Sequence, residues 1–416
     1  MKVAVIGAGS TYTPELIEGI GRLGLDIEEL ALMDPATDRL QVIAGLGRRI
    51  LTRLGSTCRV TTTSEVATAA SGAAAVLLQL RVGGQAARAR DESWPLQCGC
   101  IGQETTGAGG LAKAMRTVPV VREIAETVRR VSPGAWIVNF TNPVGIVSRA
   151  LLDDGHRAIG LCNVAIGLQR LIAGLLEVDP GSVELQHVGL NHLSWETGVT
   201  VAGREVLPRL LSEFGEQLVA DVELPVELLR REGVIPSYYL RYFYEHDALV
   251  RAAAHSPSRA IAVAAIEREL LELYADPALD EKPELLAQRG GAYYSEAAVA
   301  LLRSLIAGEP ARHVVNTRND GTLPFLPDDA VIEVSAMVDE DGAVPVEVGE
   351  VPPLALGLIA HTAAYEVLAL DAARNGGRDR VSRALLAHPL VGQLETADAL
   401  TELLLTENAA WLGPAR

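Results

Sequence analysis

The sequence has few cysteines for its length, and this bounds both its stabilisation and its setting. Cys58, Cys98, Cys100 and Cys162 are the four cysteines in 416 residues. They are too few and too scattered for a disulfide framework, which small secreted proteins use when their core is insufficient. We therefore expect a reducing, intracellular setting and predict a cytoplasmic protein.

Positive charge is also in short supply, which excludes a class of partners. The chain has 36 Lys and Arg residues against 53 Asp and Glu, giving a formal net charge of −17. Phosphate backbones and anionic membrane surfaces attract basic proteins, and no local cluster of basic residues offsets the imbalance. We expect partners that are neither nucleic acids nor membranes.

Long apolar runs are missing as well. No uninterrupted stretch of 18 apolar residues is present, and Met1-Lys2 leads directly into a strand pattern. The sequence therefore predicts neither a membrane span nor a signal peptide. With 49% hydrophobic residues over 416 positions, the chain can bury a large core, and its length favours two domains.

Short apolar runs alternate with helical patterns in the first part of the chain. Such runs are typical of parallel strands covered by helices on both faces. We predict an α/β fold with a Rossmann-type parallel sheet in a domain of residues 1–185. The predicted strands are Val3–Ile6, Leu30–Met33, Arg59–Thr62, Ala75–Leu80, Trp136–Phe140 and Ala158–Leu161, with helical patterns at Pro14–Leu23 and Ala114–Val131.

Beyond about residue 190, long helical patterns dominate. We predict a second, α+β domain of residues 186–416, which would carry the substrate and metal sites and oligomer contacts. The predicted helices are Arg259–Tyr274, Ala297–Ile306, Leu354–Asp371, Val381–Leu386 and Thr396–Thr406, and the strand-like segments are Glu196–Val201 and Ala330–Val338.

A glycine pair stands between the first strand and the first helical pattern. Gly7 permits a tight turn there, and Gly9 lets the backbone approach a pyrophosphate at the helix N-terminus, beside Ser10 and Thr11. Asp34 ends the second strand, where a carboxylate can accept the ribose hydroxyls and favours NAD. The alternative is a structural glycine turn, but strand, glycines, helix and acid occur in the order of a dinucleotide site.

Polar residues concentrate at the ends of three predicted strands, where open α/β sheets bind ligands. These segments are Asn139–Pro143, Cys162-Asn163 and Asn191-His192. A thiolate and an imidazole are good ligands for a divalent transition metal. Alternatively, Cys162 is apolar filling and His192 a hydrogen-bonded core residue.

Two further segments are candidates for substrate chemistry. The segment Ile235–Tyr244 contains four tyrosines, and a phenol with a lowered pKa can transfer protons, although an aromatic core stripe would look the same. Arginines flank the segment Gly102–Gly107, and a guanidinium is a natural partner for an anionic substrate group. These arginines are Arg81, Arg88, Arg90 and Arg116.

Together these segments resemble glycoside hydrolase family 4, most closely its 6-phospho-β-glucosidases. The resemblance covers nearly the whole chain, and many ordered matches are more specific than any one motif. The matching segments are Gly9–Leu16, Arg81–Gly84, Ile101–Gly107, Asn139–Pro143, Cys162–Val164, Gly189–His192, Arg289–Ser295 and Asn316–Gly321.

The resemblance implies hydrolysis by a redox route, an exception to two-carboxylate glycosidases. It implies oxidation of the sugar at C3 by NAD, metal-assisted deprotonation at C2, elimination of the aglycone, addition of water and re-reduction. Cys162 and His192 match the metal ligands, with Mn²⁺ as the expected ion. Tyr239 matches the base at C2, and the choice between Tyr238 and Tyr239 stays open.

The same resemblance implies the substrate contacts. Asn163 is a catalytic-site residue that favours the β-type, and Asn142 and Asn191 match residues that bind sugar hydroxyls. Arg88 is the candidate for the C6 phosphate, and Arg289 is a further substrate-binding candidate. The implied substrate is a 6-phospho-β-glucoside such as cellobiose 6-phosphate, with an unphosphorylated β-glucoside as the alternative.

Two other functions remain as alternatives. Thr141–Val144 also resembles lactate and malate dehydrogenases, whose substrate domain the second domain is expected to resemble, but the His-Gly-Asp type of segment that their proton relay uses is missing. An NAD-sensing module without catalysis would not need Cys162, His192 or Tyr239. Family resemblance further implies a homodimer or homotetramer.

Overall fold

The computed structural model describes residues 1–22, 25–290 and 293–412. The strands of its N-terminal part pair in parallel, in the order 3-2-1-4-5-6, which is the strand order of a dinucleotide-binding sheet. These strands are β1 (Lys2–Ile6), β2 (Glu29–Met33), β3 (Arg59–Thr63), β4 (Ala75–Leu78), β5 (Trp136–Asn139) and β6 (Ala158–Gly160).

The sheet continues from β6 into antiparallel strands. The order after β6 is 11-12-7-8-10, with strand 13 paired to strand 12 and strand 9 to strand 8. These strands are β7 (Val183–Leu190), β8 (Leu193–Val201), β9 (Arg204–Glu205), β10 (Ile235–Pro236), β11 (Ala311–Arg318), β12 (Val331–Asp339) and β13 (Gly342–Pro345). The predicted boundary at residues 185 and 186 falls within β7 and stays a prediction.

Helices connect the parallel strands and lead from β6 towards β7. They are α1 (Thr13–Arg22), α2 (Thr37–Arg53), α3 (Val66–Ala70), α4 (Gly84–Asp91), α5 (Gly107–Val131), α6 (Val144–Asp153) and α7 (Val164–Leu176). The later helices are α8 (Leu207–Glu213), α9 (Gly215–Val222), α10 (Val226–Glu232), α11 (Arg241–Tyr244), α12 (His246–Ala253), α13 (Arg259–Ala275), α14 (Leu286–Arg289), α15 (Tyr294–Ala307), α16 (Pro353–Asn375), α17 (Arg378–Leu386), α18 (Leu394–Glu407) and α19 (Ala409–Leu412).

The central strand β1 shows why these runs are apolar on both faces. Ala4 and Ile6 belong to the cluster formed with α5 on one face, whereas Val3 and Val5 belong to the cluster formed with α1 and α15 on the other. All four side chains are fully buried. Because successive strand residues point to opposite faces, a strand covered on both sides needs an unbroken apolar run.

All the predicted strands are present, and most boundaries agree within two residues. β4, β5 and β6 end one or two residues before the predicted Leu80, Phe140 and Leu161, because the chain leaves the sheet there to form a cavity. The predicted helices are also present, several of them longer than predicted. The predicted helix end at Leu23 lies outside the described residues.

Helix α16 is both long and apolar. Among the described residues it is the one helix that could cross a membrane by length and composition alone, with a mean hydropathy of 1.4 over its most apolar window. It packs against α5 and α17, and Ile359, Tyr365 and Leu370 are buried in the core. A core helix passes the same composition test, and we assign α16 to the core.

The parallel and antiparallel parts of the sheet meet at one pair of residues. Gly160, in β6, lies opposite Asn316, in β11. A Cβ atom on Gly160 would lie 2.4 Å from the Ser148 hydroxyl and 2.7 Å from the Asn316 Cβ, which is too close for any other residue. Glycine at this position therefore lets the two parts of the sheet join.

A buried ion pair ties α4, α5 and the C-terminal helices together. Arg116 and Asp91 are each 1% exposed and form a two-pronged ion pair, in which Arg116 Nη1 lies 3.1 Å from Asp91 Oδ1. The same guanidinium donates to Asn408. The sequence grouped Arg116 with the arginines around Gly102–Gly107, but in the fold it binds Asp91.

We expect Asp91→Ala to lower the free energy of unfolding by about 3–5 kcal/mol, because it leaves a buried guanidinium without its carboxylate. Urea denaturation followed by circular dichroism measures the change. Glu213→Ala, which breaks the exposed Arg209–Glu213 pair, serves as the control and should cost less than about 1 kcal/mol. Equal, small losses in both variants would show that the buried pair does not anchor these helices.

Candidate active site

A cavity of about 1620 Å³ opens at the carboxyl ends of the parallel strands. Its walls come from the loop after β1, the end of β2, the segments after β4 and β6, and helices α13 and α15. Parallel strands end at the same edge of a sheet, so the loops that follow them meet there even when they are distant in sequence. The cavity is large enough for a dinucleotide and a small substrate together.

The glycine turn lies at one end of this cavity. Gly7 has φ +88°, and a Cβ atom on Gly9 would lie 2.6 Å from the Asp34 carboxylate. Asp34 accepts hydrogen bonds from the backbone N–H groups of Gly9 at 2.8 Å and of Ala36 at 2.9 Å. The loop thus presents a carboxylate beside the N-terminus of α1, as a ribose and a pyrophosphate require.

The two other predicted cofactor residues lie on different sides of the turn. Ser10 lines the cavity, and its hydroxyl accepts from the backbone N–H of Tyr12. Thr11 is fully buried beneath the loop, and its carbonyl accepts from the Tyr274 hydroxyl at 2.8 Å. Ser10 is therefore placed to contact a cofactor, whereas Thr11 supports the loop from below.

Cys162 and His192 meet at the other end of the cavity. Cys162 follows β6, His192 lies in the turn between β7 and β8, and the Cys162 Sγ is 3.6 Å from the His192 Nε2. Both side chains line the cavity. His192 has φ +123°, a strained conformation for a residue with a side chain, which holds the imidazole at the cavity wall.

The surroundings of these two side chains suit a metal-binding pair. Burial lowers the pKa of His192 to about 4, which keeps the imidazole neutral and able to donate a lone pair. Burial raises the pKa of the Cys162 thiol to about 12, while hydrogen bonds from the Val164 backbone, Asn191 and the Tyr294 hydroxyl oppose the increase. These donors would stabilise a thiolate once a cation replaces its proton.

The protein supplies only part of a coordination sphere. Within residues 1–22, 25–290 and 293–412, no three His, Cys, Asp or Glu side chains are grouped to hold a metal. A pair of soft and borderline ligands with open positions on the cavity side fits a catalytic ion that also binds substrate or water. The donor set of Cys162 and His192 is compatible with such an ion.

Behind this pair lies a buried network that the sequence analysis missed. The His187 imidazole lies between two carboxylates, with Nδ1 2.6 Å from Glu196 and Nε2 3.0 Å from Glu333. Glu333 also accepts from the side-chain amides of Asn191 and Asn316, each at 2.8 Å. The available signal was an ionisable residue among the apolar positions of each of the three strands β7, β8 and β12.

The network carries charge in the protein interior. Burial alone would lower the pKa of His187, but Glu196 and Glu333 raise it to about 10. Burial would raise the pKa of Glu333, but the hydrogen bonds from His187 and Asn191 bring it below its ordinary value. The imidazolium and the two carboxylates therefore stabilise one another and hold Asn191 against Cys162.

Tyr238 and Tyr239, the two candidate bases, both line the cavity. The Tyr239 ring stacks on the His192 imidazole, with ring centroids 3.7 Å apart and planes 9° apart. Tyr238 lies next to it, with centroids 4.1 Å apart. Burial raises the pKa of both phenols. Stacking on His192 favours Tyr239 as the residue beside a bound ion, and the assignment stays a prediction.

A cluster of opposite charges forms a third wall. The buried Glu104 carboxylate is surrounded by Arg81, Arg88 and Lys113, at 3.2 Å from Arg88 Nε and 2.7 Å from Lys113 Nζ. These cations bring its pKa well below the ordinary value despite burial. Burial lowers the pKa of Lys113 to about 8. The sequence singled out this segment but not Lys113.

The predicted substrate-binding residues do not all face the cavity. Asn142, Arg88 and Arg289 line it, as does Asn163, which was predicted to be a catalytic residue. Arg88 is bound to Glu92 and Glu104. Arg289 lies 3.4 Å from the Ser10 hydroxyl and 3.2 Å from Glu267, near the glycine turn. Asn191 is not among the described residues that line the cavity and binds Glu333 instead.

Glu267 is a further residue that the sequence analysis missed. Its carboxylate joins Arg39 at 3.3 Å, Arg289 at 3.2 Å and Gln85 at 3.1 Å, and Arg39 in turn donates to the Gly9 carbonyl. Three segments distant in sequence are thereby held around the glycine turn. In the sequence Glu267 is one of three glutamates in helix α13, so no local signal distinguished it.

Comparison with known families decides between the candidate functions for this site. Residues 2–178 match the model of family 4 glycosyl hydrolases, and residues 187–391 match the model of the C-terminal domain of that family. The chain belongs to glycosyl hydrolase family 4. A probable 6-phospho-beta-glucosidase of Bacillus subtilis is 37% identical to this hydrolase, covering 99% of this chain and 97% of its own. The predicted family and the class of glycosidase are confirmed.

Solved structures agree with this assignment. The 6-phospho-beta-glucosidase of Thermotoga maritima, determined with manganese, NAD⁺ and glucose-6-phosphate, matches this family 4 hydrolase with a TM-score of 0.93 and 35% identity over 99% of both chains. Malate dehydrogenase of Cryptosporidium parvum matches with a TM-score of 0.57 and 16% identity over 89% of this chain and 99% of its own. The second likeness concerns the fold alone and confirms the predicted dehydrogenase-like architecture.

We expect the imidazolium of His187 to make the stability of this hydrolase pH-dependent. A pKa raised from about 6.5 in the unfolded chain to about 10 in the fold stabilises the fold fully below about pH 6.5. This contribution is lost as the pH rises through the folded pKa. Urea denaturation at about pH 7 and about pH 9.5 should therefore show a larger loss in the wild type than in His187→Gln.

His313→Gln is the matched control for this experiment. Burial lowers the pKa of His313 to about 4, so its charge does not change in this range. The control should lose as much stability as the wild type between the two pH values. Equal losses in all three proteins would contradict a charged His187.

Proposed function

We propose that this family 4 hydrolase cleaves 6-phospho-β-glucosides, using NAD and a divalent metal ion, for which Mn²⁺ is the best candidate. The observation that carries the proposal is the meeting of Cys162, His192 and Tyr239 in the cavity that also contains the glycine turn. The Bacillus subtilis and Thermotoga maritima relatives described above support the choice of substrate and of both cofactors.

Gly7, Gly9, Ser10 and Asp34 would hold the dinucleotide. Bound there, NAD supplies reversible hydride transfer at C3 of the sugar. The backbone N–H groups at the start of α1 would bind its pyrophosphate, and Asp34 would accept a hydrogen bond from a ribose hydroxyl. Since Asp34 already binds two backbone N–H groups, its orientation is fixed before the cofactor arrives.

Cys162 and His192 would hold the metal ion. A divalent ion held there would supply Lewis acidity towards the oxidised sugar. The buried network keeps Asn191 beside the sulfur, and Asn142 and Asn163 lie on the cavity wall for the sugar hydroxyls. Asn191 itself would then support Cys162 rather than bind the sugar from its present position.

Tyr239 would remove the proton at C2. Its phenol has a raised pKa in the cofactor-free protein because it is buried. A cation bound next to the stacked imidazole would lower that pKa and favour the phenolate. The position of Tyr239 beside His192 therefore couples the base to the occupied metal site.

The 6-phosphate would bind on the cationic side of the cavity. Arg88 is the first candidate, although it is bound to Glu92 and Glu104. Arg289 is the second, close to Ser10. Each guanidinium has further donors for a phosphate. Because both arginines already neutralise carboxylates, an unphosphorylated β-glucoside remains the alternative substrate.

We further propose a cytoplasmic homodimer or homotetramer. Leu354, Leu356 and Val367 of α16 are exposed, and apolar surface of this kind is what a second copy of the chain would cover. A phosphorylated sugar as substrate agrees with a cytoplasmic setting, because a charged phosphate does not cross a bilayer unaided.

The decisive measurement is hydrolysis of p-nitrophenyl β-glucoside 6-phosphate and of the unphosphorylated glycoside, each with and without NAD⁺ and Mn²⁺. We expect release from the 6-phosphate only when both cofactors are present. Cys162→Ser should abolish the Mn²⁺-dependent rate while NAD binding persists, whereas Cys58→Ser, at a cysteine that does not line the cavity, should act as the wild type. Release from the plain glucoside alone would discard the phosphate contact, and full activity of Cys162→Ser would discard the metal site.

We expect Tyr239→Phe to slow deuterium exchange at C2 of the substrate by at least about 100-fold, the usual effect of losing a general base. Proton NMR in D₂O measures the exchange. Tyr238→Phe distinguishes the two candidates, and Tyr244→Phe, whose side chain does not line this cavity, is the control. If only Tyr238→Phe loses exchange, Tyr238 is the base.

A further inference from the structure

The side of His192 that faces away from Cys162 is bound by Thr105. The Thr105 hydroxyl oxygen lies 3.1 Å from the His192 Nδ1, and the same hydroxyl donates to the Gln103 Oε1 at 2.8 Å. Gln103 Oε1 also accepts from the backbone N–H groups of Thr105 and Thr106. The segment before α5 thus holds the imidazole from behind.

These contacts determine which imidazole nitrogen carries the proton. A hydroxyl has one proton, and that of Thr105 is given to a carbonyl oxygen that can only accept. The Thr105 oxygen can therefore only accept from His192, and Nδ1 must be the donor. In a neutral imidazole, Nε2 is then left with its lone pair. Nε2 is the nitrogen that faces Cys162.

We propose that Thr105, oriented by Gln103, is a positioning residue that fixes His192 in the tautomer able to bind the metal ion through Nε2. The proposal rests on the proposed metal site and names the residues that prepare it. Metal-binding histidines commonly donate their second N–H to a fixed acceptor, which sets the tautomer and ring orientation. Here the acceptor is a hydroxyl that a glutamine amide holds in one rotational state.

The surroundings keep this arrangement rigid before any ion binds. Tyr239 stacks on one face of the imidazole, and the strained turn fixes the backbone of His192. Between Gln103 and Thr105, the Glu104 side chain is tied to Lys113 in α5. Thr105 therefore cannot follow a displaced imidazole, and the imidazole cannot turn without losing its stacking partner.

The first test measures Mn²⁺ affinity directly, without turnover. Electron paramagnetic resonance of free Mn²⁺, in titrations of the NAD⁺-loaded protein, gives the Kd. We expect Thr105→Val to raise the Kd by about 10–100-fold, the usual effect of removing such an acceptor, and Thr105→Ser to restore the wild-type value. Thr117→Val is the matched control, since Thr117 is a buried threonine of α5 outside the cavity wall.

The outcomes distinguish failure of the proposed metal site from failure of the proposed role of Thr105. Wild-type affinity in His192→Ala would overturn the metal site itself. Loss of binding in His192→Ala with wild-type affinity in Thr105→Val would leave the metal site intact and overturn the role of Thr105. A loss in Thr105→Val that Thr105→Ser does not rescue would also overturn it, because a structural disturbance would then explain the effect.

The second test observes the tautomer without any metal. In ¹⁵N-histidine NMR of the metal-free protein, His192 of the wild type should show a protonated Nδ1 and an unprotonated Nε2. Gln103→Leu removes the acceptor, so the Thr105 hydroxyl can turn and donate to Nδ1, and we expect signals of the other tautomer to appear. A protonated Nε2 in the wild type, or an unchanged His192 in Gln103→Leu, would contradict the proposal.

Discussion

The structure depends on the buried carboxylate of Glu333, because it connects the junction of the sheet to the site. Asn316 pairs with Gly160 where the two parts of the sheet meet, and its side chain donates to Glu333. Glu333 also holds Asn191 beside Cys162. An ionised carboxylate is costly to bury unless its hydrogen bonds are satisfied. The same bonds that satisfy it therefore set the distance between β6, which leads into Cys162, and the turn that carries His192.

The sequence was sufficient to predict the parallel half of the fold and the candidate site residues at its strand ends. Apolar runs predicted five of the six parallel strands, because strands covered on both faces have few polar positions. The edge strand β3 reads Arg-Val-Thr-Thr-Thr and was predicted from its β-branched residues. The glycine turn, Cys162 and His192 stood at predicted strand ends, and strand ends share one edge of a sheet. Local patterns therefore marked Cys162 and His192 as candidates, and the family resemblance paired them as metal ligands, before the structure placed them 3.6 Å apart.

The contacts around that pair were not predictable in the same way. His187, Glu196 and Glu333 lie up to 146 residues apart along the chain, and their meeting depends on the pairing of β12 with β7, which no local pattern encodes. For the same reason, the sequence could not show that Asn191 turns towards Glu333 or that Arg116 binds Asp91. Strand order and side-chain direction arise from packing of the whole sheet.

The placement of the proposed metal-binding pair on the sheet has an evolutionary consequence. Cys162 and His192 are carried by a strand end and a tight turn, whereas Asp221, which also lines the cavity, belongs to the short helix α9 outside the sheet. Insertions or exchanges in that helix reshape the cavity without moving the strands. The shape of the cavity and the metal-binding pair can thus diverge independently in descendants of this chain.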